Sequence, residues 1–488
     1  DLIDADVNTD VGDDEIAGVR AITLALYQSY VKKYGPLNRC TISEGKEDPD
    51  TGVRQRIRRR PSMGGFRSDP HCVTVLSIED YDDDTGEARP GLILRGRVNR
   101  RVEPVTSVST AGEAVAVSMD QVGRVDVPLV AGLLGVSEQA AVAALVREGA
   151  AFVDPTLGLV PAGEYLSGDV RAKLVEARGL AVHDPSMTVN VAALERVQPV
   201  DLTSDDIKVK LGAPWVPVDD VRQFVADTFE LTALSQIDVE HEPVAAAWQV
   251  TPSYGLDRRP VATARWGTGR VNGYQLVELG LNGSQPVVHD EVWDSVKGKK
   301  RKVRNEEETL LACEKLRELD EEFSEWVWRD DARRMRLCRL YNDRYNTVVP
   351  RVHDGAGLTF PGMAAGFEPY ESQRQMVHRI LSSEATLCGH TVGAGKTAII
   401  AMAAMTMRRL GMVRKPMVAV PNHLIEQIAR EVKALYPTAK VLMASREDAT
   451  KERRRAFAAK IATGDWDLVV LAHSTFTAIP VSAAAETE

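Results

Sequence analysis

The chemistry of this chain concentrates in one short segment, His390-Thr391-Val392-Gly393-Ala394-Gly395-Lys396-Thr397. Its glycines let the backbone curl so that consecutive N–H groups converge on an anion. A helix opening at Lys396 adds the partial positive charge of its N-terminus. The Lys396 ammonium suits the outer phosphates of a nucleoside triphosphate, and the Thr397 hydroxyl suits a Mg²⁺ ion. The segment therefore reads as a cradle for ATP and Mg²⁺. Gly393, Ala394, Gly395, Lys396 and Thr397 bind the nucleotide, Lys396 and Thr397 serve catalysis, and Thr397 holds the metal. The strict GxxxxGK[ST] pattern is not met, because His390 stands at its first glycine position and Gly389 lies one residue early. The competing reading is a glycine-rich turn that merely joins a strand to a helix.

Two flanking regions extend this chemistry. Upstream, Gln373 opens an amphipathic helix some twenty residues before the loop, where its amide can pair with adenine N6 and N7. The alternative is a polar residue on a solvated helix face, and Gln375 is a second candidate. Downstream, Pro421-Asn422-His423 ends an apolar stretch and precedes a helix whose free N–H groups suit a DNA phosphate. An ordinary strand-to-helix turn capped by Asn422 has the same composition. His473 and Ser474 follow Leu468-Val469-Val470-Leu471-Ala472 in the same way and complete the candidate DNA-contacting set.

These residues need a scaffold, and beyond Pro361 the apolar pattern alternates between short runs and amphipathic stretches. It predicts strands over 385–388, 417–420, 440–443 and 467–471, with helices over 396–410, 424–435 and 448–462. Gly411 stops the first of these helices and Pro437 follows the second. Strands separated by helices of this length imply right-handed crossovers, hence a parallel sheet with helices on both faces. The expected fold class of the C-terminal third is α/β.

The remainder reads as mixed α+β, largely helical, accessory structure. Residues 1–110 hold a helix from Ile16 to Tyr34, an Arg-, Gly- and Pro-rich loop over 52–70, a strand over 73–76 and an acidic turn at 80–86. Residues 111–200 form a helical module. Within it, 124–162 resembles a winged helix: a helix over 127–134, a second capped by Ser137, and a hairpin around Asp154-Pro155. Its would-be recognition helix carries Arg147 against two acids, which favours a structural role. Residues 201–304 include β-prone stretches at 248–251 and 260–266 and end on the basic run 297–304. Residues 305–360 are a helical linker, with Leu310, Leu316, Leu319, Phe323 and Trp326 at three- and four-residue steps, and 361–488 form the ATP-binding lobe. The clusters Arg54, Arg56, Arg58, Arg59, Arg60 and Lys297–Arg304 either track phosphates or are solvated loops. Trp266 with Arg265 and Arg270 reads as a core indole with surface cations, or as a base-stacking clamp.

Composition bounds the possibilities. Over 488 residues, 44% hydrophobic and 27% charged, no apolar run approaches the ~20 residues needed to cross a bilayer. A net charge of −10 argues against uniform coating of DNA, yet the segment after Pro361 is net positive, as a motor gripping phosphates locally would be. Five scattered cysteines without a CxxC pair suggest reduced thiols and a cytoplasmic location. The opening Asp1-Leu2-Ile3-Asp4 suggests a chain that starts inside something larger.

Over Phe360–Phe476 the phosphate loop, the Gln373 segment and the 421–423 and 473–475 turns together resemble Swi/Snf-like superfamily 2 motors, whose loops often lack the first glycine. A longer resemblance is to phage- and plasmid-borne DNA methyltransferase–helicase proteins, some of them anti-restriction proteins. It rests on Tyr34-Gly35-Pro36-Leu37-Asn38, Glu164-Tyr165-Leu166-Ser167-Gly168-Asp169-Val170-Arg171, Gly212-Ala213-Pro214-Trp215-Val216-Pro217, Trp266-Gly267-Thr268-Gly269-Arg270 and Leu358-Thr359-Phe360-Pro361-Gly362-Met363. The resemblance implies a first RecA-like lobe, a second lobe with an arginine finger beyond Glu488, and a methyltransferase domain before Asp1. It also implies an Asp-Glu box after His473, which these residues do not contain. ATP binding without completed hydrolysis is the expectation for 1–488, with DNA contacted through its backbone and little sequence preference. The rival classes are a P-loop ATPase acting on a non-nucleic-acid partner and a non-catalytic DNA-binding scaffold.

Overall fold

The computed structural model describes residues 2–7, 11–47, 54–61, 63–99, 105–242, 244–294, 299–444 and 451–477. The chain forms two compact units, one of residues 1–165 with 351–488 and one of residues 166–350.

The second unit is built on long helices, Glu306–Arg329 and Asp331–Arg344, against Val218–Thr228, Gly273–Leu281 and an antiparallel hairpin, Ile237–Glu242 with Ala247–Pro252. Aromatic pairs fill its core: Phe224 meets Phe323 edge-on at 4.9 Å and Phe229 stacks on Tyr274 at 4.2 Å. Leu316, Leu319, Phe323 and Trp326 are buried, as their spacing predicts, whereas Leu310 is exposed one turn from the helix start. The β-prone stretch 260–266 is a turn of π-helix, Val261–Arg265. Val261 and Thr263 favour strands, but no partner strand lies beside them, and the Ala262 and Thr263 N–H groups donate instead to Arg259 O at 2.8 and 3.0 Å. Trp266, which follows, packs in the core as the structural reading expects.

In the first unit, the stretch expected as a strand at 73–76 is a helix, Cys72–Leu76. Alternating Val73 and Val75 suggested strand, yet Cys72, Val73 and Leu76 are the buried positions, a helical spacing that seats them on neighbouring elements. The Arg-rich stretch expected as loop contains a strand, Arg54–Arg59, paired antiparallel with Thr41–Glu47. The acidic turn at 80–86 joins Glu79–Tyr81 to Ala88–Pro90, and Asp82 Oδ1 accepts the N–H groups of Asp84 and Thr85. The module at 124–162 follows the sequence closely: helices Val127–Leu134 and Glu138–Arg147, capped by Asp126 and Ser137, then the hairpin Ala151–Asp154 with Gly158–Pro161, and a further helix, Ala111–Val122, precedes it.

The C-terminal sheet is parallel, with Leu468–Ala472 between Met417–Val420 and Val441–Met443. Every residue of the central strand is buried. Because side chains alternate across a sheet, Leu468, Val470 and Ala472 join the Lys396–Arg409 and Ile425–Leu435 helices on one face. Val469 and Leu471 meet Phe457 and Ile461 of the Lys451–Thr463 helix on the other. Helices on both faces of a parallel sheet are what the pattern predicts. The expected first strand, 385–388, is an exception. It makes no ladder hydrogen bonds, and Leu387 is 91% exposed. A strand needs a neighbour to bond with, and none of the three strands of this sheet pairs with 385–388.

Candidate nucleotide and nucleic-acid site

The phosphate-loop candidate stands at the start of the 14-residue helix Lys396–Arg409. Gly393 and Gly395 adopt left-handed backbone at φ 89° and 76°, conformations that cost residues with a Cβ. Lys396 Nζ donates to His390 O at 2.7 Å and Thr391 O at 2.9 Å, so the ammonium holds its own loop closed. The loop faces solvent from Thr391 to Gly393 and is half-buried from Ala394 to Thr397.

Gln373 lies against this loop with 2% of its surface exposed. Its Oε1 accepts the Tyr370 N–H at 3.1 Å, which caps the Glu371–Leu381 helix, and its Nε2 donates to Ala394 O at 3.1 Å. A Cβ on Gly395 would sit 2.3 Å from that Nε2. Gln373 therefore braces the phosphate loop rather than lying on a solvated face. In this conformation both ends of its amide are engaged, so pairing with adenine requires their release. Gln375 is half-buried and bonds to Glu371 at 2.9 Å on its own helix.

Helix direction brings the remaining candidates together. At the C-terminal end of Lys396–Arg409, Arg408 pairs with Asp465 at 2.7 Å and Asp467 at 2.9 Å, just before strand Leu468–Ala472 begins. The helix thus runs antiparallel to that strand. Its rise of about 21 Å carries Lys396 toward the strand's C-terminal end, about 17 Å along. Val420 is in register with Ala472, so the turns that follow these two residues leave the same edge of the sheet side by side. Pro421, Asn422 and His423 occupy one turn and His473 and Ser474 the other, all exposed. Ligands of open α/β sheets bind at this carboxyl edge. Asn422 does not cap the following helix: a 3₁₀ turn, Asn422–Leu424, intervenes, and Leu424 stands at the cap position.

The opposite end of the phosphate-loop helix carries a feature the sequence did not announce. Arg409 donates through Nη1 to Asp120 O at 2.6 Å and through Nη2 to Asp120 Oδ1 at 2.9 Å. Asp120 also accepts from Thr359 N at 2.9 Å and Thr359 Oγ1 at 2.5 Å. Leu410 packs within 3.6 Å of where a Gly123 Cβ would stand. The helical module is thereby fixed to the helix that carries Lys396. No spacing rule joins residues 289 positions apart.

Among the arginines offered as phosphate contacts, Arg60 has a structural role, with Asp83 and Glu426 each at 3.1 Å. The side chains of Arg54, Arg56 and Arg58 lie outside the described residues, as do Lys297 and Gly298. Arg270 is tied to Asp290 at 2.8 Å, while Arg265 lies over Trp266 at 5.0 Å. Among the described residues no group of three or more His, Cys, Asp or Glu is arranged to hold a metal.

Comparison with known proteins places the C-terminal part in a helicase-like class. Residues 378–488 match the model of a probable helicase domain, and residues 107–159 match that of the winged helix domain of a probable helicase. The first part of the helical module is thus similar to a winged helix. Residues 210–347 match a domain of unknown function. Among individual proteins, the chain is 23% identical over 306 residues to the Defense against restriction protein B of Escherichia phage P1, covering 58% of this chain and 13% of that protein. The chain thus spans about an eighth of the length of the curated relative it matches. No solved structure matches.

Proposed function

We propose that this chain is the ATP-binding part of a superfamily 2, Swi/Snf-like DNA helicase or translocase, and that residues 361–488 form its first RecA-like lobe. The observation that carries the proposal is the shared edge: Gly393 and Gly395 in left-handed backbone ahead of Lys396, with the 421–423 and 473–474 turns beside one another at the same end of the sheet. A nucleotide seated on the loop would place its phosphates against the N–H groups of 393–397. Lys396 would turn from its own carbonyls to the β- and γ-phosphates, and Thr397 would take Mg²⁺. The Asn422 and His473 turns would meet the DNA backbone, so nucleotide state and DNA grip would be read by one sheet edge. The match to a phage protein named for defence against restriction supports a place in a phage or mobile-element DNA-processing protein.

The test is a titration with a fluorescent ATP analogue and Mg²⁺. Lys396→Ala should weaken binding at least tenfold, a loss of about 1.4 kcal/mol. Equal binding by both proteins would refute the assignment of the loop.

A further inference from the structure

The hairpin His289–Asp294 with Lys299–Arg304 belongs to the unit of residues 166–350. Direct partners are His289 with Arg304, Glu291 with Lys302 and Trp293 with Lys300, so these six side chains share one face. That face presents three cations, one carboxylate and an indole that is 64% exposed. Lys300 takes up the carboxylate, at 2.7 Å from Glu291, and Arg304 lies 3.4 Å from Glu306 beyond the strand. Among the described residues Lys302, and Arg301 on the reverse face, have no carboxylate partner.

Among the described residues the hairpin is anchored at its base. Asp290 accepts from Arg270 at 2.8 Å and from Asn305 Nδ2 at 2.7 Å, and Asn305 Oδ1 also caps the Glu306–Arg329 helix through Glu308 N. Val288 is buried beneath it, its N–H donating to Thr309 Oγ1 at 3.0 Å. The arm is therefore preorganised, yet its outer face packs on no core. A Trp held in solvent forgoes the burial that normally pays for an indole. Here it is flanked by cations two residues apart along a strand, about 6.6 Å.

We infer that this face binds single-stranded DNA, with Trp293 stacking on a base and Lys300, Lys302 and Arg304 lying along successive phosphates. Positive charge selects a polyanion, and a rigid flat indole selects one with exposed rings rather than a closed duplex. That the strand is DNA rather than RNA rests on the motor reading above.

Fluorescence anisotropy of the full chain with fluorescein-labelled oligothymidylate, without nucleotide, tests this. Trp293→Ala should weaken binding about tenfold and Trp293→Phe much less. Lys302→Ala should lower the slope of log affinity against log salt by about 0.7. All these positions are exposed, so unchanged melting temperatures should accompany the losses. Lys396→Ala should bind the oligonucleotide like the parent. Loss of nucleotide binding in that variant without loss of strand binding separates the two sites, and strand binding by a chain that never binds nucleotide would sink the motor while leaving the arm. Wild-type affinity in Trp293→Ala, or a preference of the arm for polyglutamate or for phosphatidylserine vesicles over oligothymidylate, would overturn the proposal.

Discussion

Placing a methyl group on Gly395 should be far more damaging than placing one on Gly393, although both glycines have left-handed backbone. At Gly393, φ 89°, nothing lies within 4 Å of the new Cβ. Gly393→Ala therefore meets only the left-handed penalty, about 1–2 kcal/mol, which is roughly five- to thirtyfold in the population of the native loop. At Gly395, φ 76°, the new Cβ falls 2.3 Å from Gln373 Nε2. The amide must retreat and give up Ala394 O, which adds about 1–3 kcal/mol for a buried polar group left without its partner. The total is about 2–5 kcal/mol, and the added 1–3 kcal/mol predicts nucleotide affinity at least about fivefold weaker for Gly395→Ala than for Gly393→Ala. Fluorescent-nucleotide titration of both variants reads the difference, and the double variant Gly395→Ala/Gln373→Ala isolates the cause. Shortening Gln373 removes the clash, so the double variant should bind better than Gly395→Ala alone. Equal affinities for the two single variants, or a double variant no better than Gly395→Ala, would refute Gln373 as the brace of the loop.

The remaining expectations concern the helical module, the sheet edge and a buried lysine. Asp120→Ala removes three side-chain hydrogen bonds, two from Thr359 and one from Arg409, and takes the carboxylate from the Arg409 guanidinium, so it should destabilise the first unit by about 2–4 kcal/mol. Chemical denaturation measures this, and Arg409→Ala added to it should cost little more. DNA binding at the 421–423 and 473–474 turns should fall steeply with salt and discriminate little among sequences, which filter binding across a salt series checks. Lys433 is buried, with its Nζ donating to Pro437 O at 2.6 Å and Ala439 O at 2.9 Å, and burial pushes its ammonium down to about 8. Between that value and the unfolded value near 10.5 the unfolded chain binds the extra proton. Stability relative to Lys433→Met should therefore rise as pH is raised from about 8 to 9.5, and a flat difference across that window would contradict the assignment.

The GxGKT order, the amphipathic helices and the apolar strands are local signals: each is written within a dozen residues, and each names its element because backbone propensity and side-chain period act at short range. Hence the helix at Lys396, the cap at Ser137 and the alternation behind Leu468–Ala472 were legible. Residues 385–388, 73–76 and 260–266 were misread because local β-propensity does not decide whether a partner strand lies alongside. One stretch found no ladder, one was claimed by a helical packing face, and one satisfied its N–H groups on Arg259. Only tertiary structure could join Gln373 to Ala394, Asp120 to Arg409, and Trp293 to a row of cations. Each of these depends on which distant groups come within hydrogen-bonding or cross-strand reach, and chain folding sets that distance whereas sequence separation does not.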